Sequence, residues 1–191
     1  MSAADFALRS PVAVGGRESH DHYPTPAWVT AWLFAHRRPP QGALILDPSC
    51  GEGAILDVAR EQGCRTLGYE LDEGRAAAAR ERGHQVETGD ALARRWAPEA
   101  DAIVMNPPYG SEASRFVQHA LEWRERWCGH VFALLYLSFC EPSGERGDLF
   151  RRCPPSIYVL PRRPKFDGKG TNSQGSAWFC WPGDGRMRWP R

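Results

Sequence analysis

The sequence predicts an α/β fold, a mostly parallel, doubly wound sheet of seven strands with one antiparallel strand near the C-terminus. Three observations predict it. Short apolar runs alternate with helical stretches along most of the chain. The first three runs end in carboxylates, Asp47, Glu70 and Asp90, and open α/β sheets gather their ligands outside such strand ends. The chain has 191 residues, a comfortable length for one domain.

The elements follow in order. A helix over 26–36 precedes a strand at 43–47, and a helix at 53–62 precedes a strand at 65–70. A helix over 73–82, with an alanine run at 76–79, leads to a strand at 84–88. A short helix near 91–96 precedes the apolar strand 101–105. A helix over 113–127 then leads to a strand at 131–139. After a polar loop, 141–147, come a helical turn at 148–152 and strands at 156–160 and 177–181. No crossover helix separates the last two, so they should pair antiparallel. Trp28 with Trp32 and Trp123 with Trp127 recur at i, i+4, the spacing of a core-facing helix stripe.

Composition narrows the class. Hydrophobic residues make up 42% of the chain, without an uninterrupted run long enough to span a bilayer. Residues 1–16 lack the charged start and apolar core of a signal peptide. These features suggest a cytoplasmic protein. Residues 1–20 are expected to form a flexible segment, and 21–191 one catalytic domain. The six cysteines include no Cys-x-x-Cys pair and are expected to be free thiols, with no metal site. The net charge of +1 hides a partition: residues 1–150 carry 15 basic and 21 acidic side chains, residues 151–191 carry 9 and 2. The basic end is a candidate phosphate-binding face.

Chemistry concentrates after the strands. Asp47-Pro48-Ser49-Cys50-Gly51-Glu52-Gly53 is a glycine turn between a strand and a helix, where backbone can approach a ligand closely. It has neither the full dinucleotide fingerprint nor the Lys-Ser/Thr ending of a phosphate loop, and Asp47 would repel phosphate and welcome an ammonium group. Glu70 is suitably placed to take ribose hydroxyls, and Asp90 to accept from an adenine amine. Each acid alone could equally be a helix cap or a solvated loop carboxylate. Asn106-Pro107-Pro108-Tyr109 follows the fourth strand: two prolines stiffen the loop, leaving the Asn106 oxygen and backbone carbonyls as acceptors beside an aromatic ring. That is a receptor for a planar group bearing NH2.

Taken together, these motifs resemble the S-adenosylmethionine-dependent amino-methyltransferases, most closely the DNA adenine-N6 methyltransferases with gamma-type motif order. The resemblance covers about residues 20–182 and implies a Rossmann-like class I methyltransferase fold. It assigns Asn106, Pro107, Pro108 and Tyr109 to catalysis. It assigns Asp47, Pro48, Cys50, Gly51, Gly53, Glu70, Leu71, Asp90, Ala91 and Asn106 to S-adenosylmethionine, with Tyr23, Thr25 and Pro26 closing over its methionine part. Tyr109 would stack on a target base, and the basic loop around Phe166, with Arg162, Arg163, Lys165 and Lys169, resembles the family's target-base loop. The implied activity is that of an adenine-specific site-specific DNA methyltransferase acting on double-stranded DNA, with the base flipped out of the helix. Little chain remains for a recognition domain, so a short or relaxed target, or help from a homodimer partner, is expected. The competing readings are transfer to an amine in RNA or to a protein glutamine amide, and a catalytically inactive nucleic-acid-binding subunit.

Overall fold

The computed structural model describes residues 24–141, 145–166 and 174–183; the 1–20 segment, Tyr23 and Lys169 lie outside them. Seven strands form one sheet in the order β3-β2-β1-β4-β5-β7-β6. They are β1 (Leu44–Asp47), β2 (Arg65–Glu70), β3 (Gln85–Thr88), β4 (Ala102–Met105), β5 (His130–Tyr136), β6 (Ser156–Val159) and β7 (Ser176–Trp181). Pairings from β3 through β5 are parallel, whereas β7 runs antiparallel to both β5 and β6. This is the expected class I methyltransferase arrangement.

Strand residues alternate between two apolar layers. Ala102, Val104, Phe132, Leu134, Trp178 and Cys180 face the layer holding Val29 and Leu33 of α1 (Ala27–His36) and Ile55 and Val58 of α2 (Ala54–Glu61). Ile103, Met105, Val131, Ala133, Phe179 and Trp181 face the layer holding Phe116, Val117 and Trp123 of α4 (Ser111–Trp127). A sheet buried on both faces needs apolar residues at every strand position, so its strands read as continuous apolar runs. The third helix, α3 (Glu73–Glu81), is capped by Asp72, whose carboxylate accepts from the Arg75 N–H at 2.9 Å. The fifth, α5, spans Glu145–Arg152.

Three local expectations change. The strand expected at 131–139 ends at Tyr136 and continues as a 3₁₀ turn, Leu137–Cys140. The helix expected at 91–96 shrinks to a 3₁₀ turn, Ala91–Ala93, because Trp96 folds under it and donates its indole N–H to the Ala91 carbonyl at 2.8 Å. Trp127 is 51% exposed and not in the core. It is the last residue of α4, one turn beyond the buried Trp123, and Cys128 ends the helix in a left-handed conformation (φ 62°). Cys50, Cys64 and Cys180 are buried core residues; Cys140 is exposed.

The order reverses at β1, whose neighbours are β2 on one side and β4 on the other. Such a switch point opens a crevice at the carboxyl ends of the strands. Asp47 ends β1 and Asn106 follows β4, so the two chemical motifs flank that crevice. Trp178 fastens α1 beside it: the ring is fully buried, and its indole N–H donates to the Val29 carbonyl at 3.0 Å. Trp178→Phe should cost about 1–2 kcal/mol through lost volume and a lost hydrogen bond, read as a lower denaturation midpoint at constant slope.

Candidate active site

At the switch point lies a cleft of about 560 Å³. Thr25, Asp47, Pro48, Cys50 and Gly51 line it, joined by Glu70, Leu71, Asp90 and Ala91 from the next two strand ends. Asn106, Pro107, Pro108 and Tyr109 form the opposite wall. Pro26, Gly53, Phe166, Arg162, Arg163 and Lys165 do not line it. Gly53 acts from behind: at φ +90° it turns the chain into α2, and a Cβ there would meet the His84 ring at 2.8 Å.

Glu70 is the most connected of the three acids. Its Oε2 accepts from the Gly51 N–H at 2.8 Å; its Oε1 accepts from the Asp72 N–H at 2.9 Å and from Arg75 Nε and Nη2 at 3.2 and 3.0 Å. Asp90 caps the 3₁₀ turn by accepting from the Leu92 N–H at 2.8 Å, so its cap reading and its place on the cleft wall hold together. Asp47 is 1% exposed and accepts from the Ser49 N–H at 3.1 Å. Burial pushes its carboxyl up to about 8 from the usual 3.8; the Ser49 contact opposes the rise and nearby Glu70 adds to it.

Asn106 is held from the N-terminal side. Its amide Nδ2 donates to the Thr25 hydroxyl at 3.0 Å across 81 residues of chain. Its Oδ1 is buried and has no hydrogen-bond partner among the described residues. The Ser49 hydroxyl donates to its backbone carbonyl at 3.4 Å, joining the two motif loops. Tyr109 stacks on Tyr136 with centroids 4.5 Å apart and meets Phe166 edge-on at 6.1 Å. Phe166 is itself buried among the residues under α1, with Leu160 and Trp178, so here it supports the Tyr109 loop from the core. Arg162 lies over the Trp28 ring at 4.5 Å, and Lys165 is exposed.

Sequence reasoning did not single out Ser49, Arg75, Glu112, Phe116 or Tyr136. Ser49 lay inside a quoted motif. The others reach the site from a helix turn or a strand end, where only the fold brings them in.

The described cleft suits a cation better than a phosphate. Asp47, Glu52, Glu70, Asp72, Asp90 and Glu112 line it against one arginine, Arg75. Residues 18–122 match the profile of the uncharacterised methyltransferase family DUF6094. The chain belongs to this family.

Among curated proteins, the methyltransferase is 30% identical over 171 residues to the Type II methyltransferase M.TthHB8I of Thermus thermophilus, covering 82% of this chain and 38% of that one. It is 39% identical over 80 residues to the tRNA (guanine(10)-N2)-dimethyltransferase of Methanothermobacter thermautotrophicus, covering 38% of this chain and 24% of the relative. It therefore spans well under half the length of either. Among solved structures, a modification subunit assigned to a type I restriction enzyme of Vibrio vulnificus shares the fold at TM-score 0.69 and 17% identity, over 86% of this chain and 46% of that one. An RNA methyltransferase of Salinibacter ruber, solved with S-adenosylhomocysteine, shares it at TM-score 0.56 and 14% identity, over 83% and 94%. S-Adenosylmethionine is the cofactor, and the acid-lined cleft at the switch point fits its sulfonium and ammonium charges. Among the described residues, no helix is long and apolar enough to cross a membrane.

The raised Asp47 carboxyl has a sign. Between about pH 4 and 8 the folded chain holds a proton that the unfolded chain has released, so this group's contribution to stability is lost as pH rises through that window. A cationic ligand favours the ionised form and expels the proton on binding. Affinity for S-adenosylmethionine should thus rise from pH 6 to 8, by at most about tenfold per pH unit. Calorimetry in buffers of different ionisation heat should read the released proton, and Asp47→Asn should flatten the profile. An unchanged profile in that variant would remove Asp47 from the cofactor contact.

Proposed function

We propose that the chain transfers a methyl group from S-adenosylmethionine to the exocyclic N6 amine of an adenine in DNA. The observation that carries this reading is Asn106 Oδ1, a buried acceptor without a partner among the described residues, at the end of a proline-stiffened loop on the cleft wall. An unmade buried hydrogen bond costs about 1–3 kcal/mol, and an incoming amine would make it.

The cofactor would supply an electrophilic methyl group: the amine lone pair would form the N–CH3 bond as the S–CH3 bond breaks, S-adenosylhomocysteine would leave, and the cationic nitrogen would then lose a proton to solvent. Asn106 Oδ1 and the Pro107 carbonyl would each accept one N–H of the target amine. Two acceptors favour a more tetrahedral nitrogen, localise a lone pair otherwise delocalised into the ring, and fix its direction. Thr25 holds the Asn106 amide by its nitrogen, so the oxygen remains for the substrate. Tyr109, backed by Tyr136, would stack on the base, a contact worth about 1–3 kcal/mol. A base within a duplex cannot reach this loop, so the adenine would be flipped out. Arg162 and Lys165, neither paired with a carboxylate among the described residues, would take the backbone phosphates. The 30% identity to a Type II methyltransferase supports DNA. The 39% identity over 80 residues to a tRNA guanine-N2 enzyme supports a second reading, an exocyclic purine amine in RNA.

Transfer of labelled methyl from the cofactor to DNA, RNA and protein separates these readings. DNA should be labelled, with the label recovered as N6-methyladenine; labelling of RNA alone would install the second reading, and of neither nucleic acid would end both. Asn106→Ala should lower turnover by at least about a hundredfold, the scale set by removing one positioned catalytic hydrogen bond. Its cofactor affinity should stay within about threefold, since the lost contact belongs to the substrate amine. Lost cofactor binding in that variant would make Asn106 a structural residue.

A further inference from the structure

The acceptor count at Glu70 raises a question about cofactor entry. A carboxylate offers about four lone-pair sites. In this structure four donors already address Glu70: the Gly51 N–H on Oε2, and the Asp72 N–H with Arg75 Nε and Nη2 on Oε1. Oε1 thus faces three donors with two lone pairs, while Oε2 keeps one site, so a ribose diol, which brings two donors, finds room for only one of them. The two backbone donors are fixed by the glycine loop and by the turn into α3. Only the Arg75 fork can rotate away, and it delivers two donors, as many as the two ribose hydroxyls would bring.

We infer that Arg75 is a gate on the ribose subsite: its guanidinium competes with the ribose diol for the Glu70 carboxylate and leaves it when the cofactor binds. The inference rests on the reading of Glu70 as the ribose acid. Two further features fit an exchangeable partner. The Arg75 side chain is 28% exposed while that of Glu70 is 7% exposed, so the guanidinium can move into water while the carboxylate stays in place. Arg75 is also the third residue of α3, in the first turn, where the positive end of the helix dipole disfavours a cation. Its hold on Glu70 is thereby weakened. Once it leaves, Gly51 and Asp72 still orient the carboxylate.

The test is calorimetric binding of S-adenosylhomocysteine, and of an analogue lacking both ribose hydroxyls, to the wild type, Arg75→Met, Glu70→Gln and the double variant. Arg75→Met should tighten S-adenosylhomocysteine binding by about fivefold at low salt, ~1 kcal/mol. The gain should shrink as salt screens the pair in the wild type. It should vanish for the analogue without hydroxyls and in the Glu70→Gln background. Arg75→Lys, which keeps the charge but loses the fork, should fall between wild type and Arg75→Met, and covers the case in which the methionine variant folds poorly. Unchanged or weaker binding in both Arg75 variants, with Glu70→Gln weakened, overturns the gate and leaves the ribose assignment standing. An equal gain for the analogue without hydroxyls also overturns it, since the effect would then be one of charge alone. Unchanged binding in Glu70→Gln removes the ribose assignment itself, and the gate with it.

Discussion

The site depends on Glu70 and the three strand ends it ties together. Its carboxylate accepts from the Gly51 N–H after β1, and its backbone carbonyl accepts from the Gly89 N–H after β3 at 2.8 Å. The Cys50 N–H, beside that glycine, donates to the Tyr69 carbonyl at 3.0 Å. The loops after β1 and β3 are both held to the end of β2. The glycines allow this close approach: Gly68 lies against the Cys50 thiol, where a Cβ would come within 2.6 Å of the sulfur. A buried carboxylate is costly unless it is paired, and Glu70 is satisfied by donors that also shape the cleft wall.

The cleft contains two other polar groups in unfavourable states. Asp47 is buried deeply enough that its carboxyl is pushed up to about 8, and Asn106 Oδ1 is buried without a partner among the described residues. Each cost is relieved by one kind of ligand group, a cation for Asp47 and an N–H donor for Asn106. A methyl transfer from a sulfonium to an amine brings both into one cleft. Ser49 links the two residues: its N–H donates to the Asp47 carboxylate at 3.1 Å and its hydroxyl to the Asn106 backbone carbonyl at 3.4 Å, while Thr25, just before α1, holds the Asn106 amide.

Much of this architecture was legible in the sequence because strand ends and motif loops coincide. Continuous apolar runs such as 102–105 marked strands buried on both faces, and the polar residues after them had to be the crevice. Legibility failed where a side chain's neighbours come from distant elements. Phe166 reads as a loop aromatic, but only the fold places it beneath Tyr109 and beside Trp178. Trp127 shares the spacing of Trp123, yet helical periodicity does not tell where the sheet beneath a helix stops. Arg75 looks like one more surface arginine in an alanine-rich helix until the Asp72 turn carries it back onto Glu70.

The charge partition seen in the sequence acquires a spatial meaning. Arg60, Arg75, Arg80, Arg82, Arg94 and Arg115, all within the acidic part of the chain, have carboxylate partners that neutralise them locally. Arg162 instead rests on Trp28, and Lys165 extends from the same loop, on the Phe166 side of Tyr109. A polyanion approaching the molecule meets repulsion at the acid-lined cleft and attraction at that loop. On the proposed function, the two fields divide the substrate: phosphates stay outside on the basic loop, and only a neutral base can pass Tyr109 to reach Asn106. The acids that welcome the cofactor would thereby also keep the nucleic-acid backbone out of its cleft.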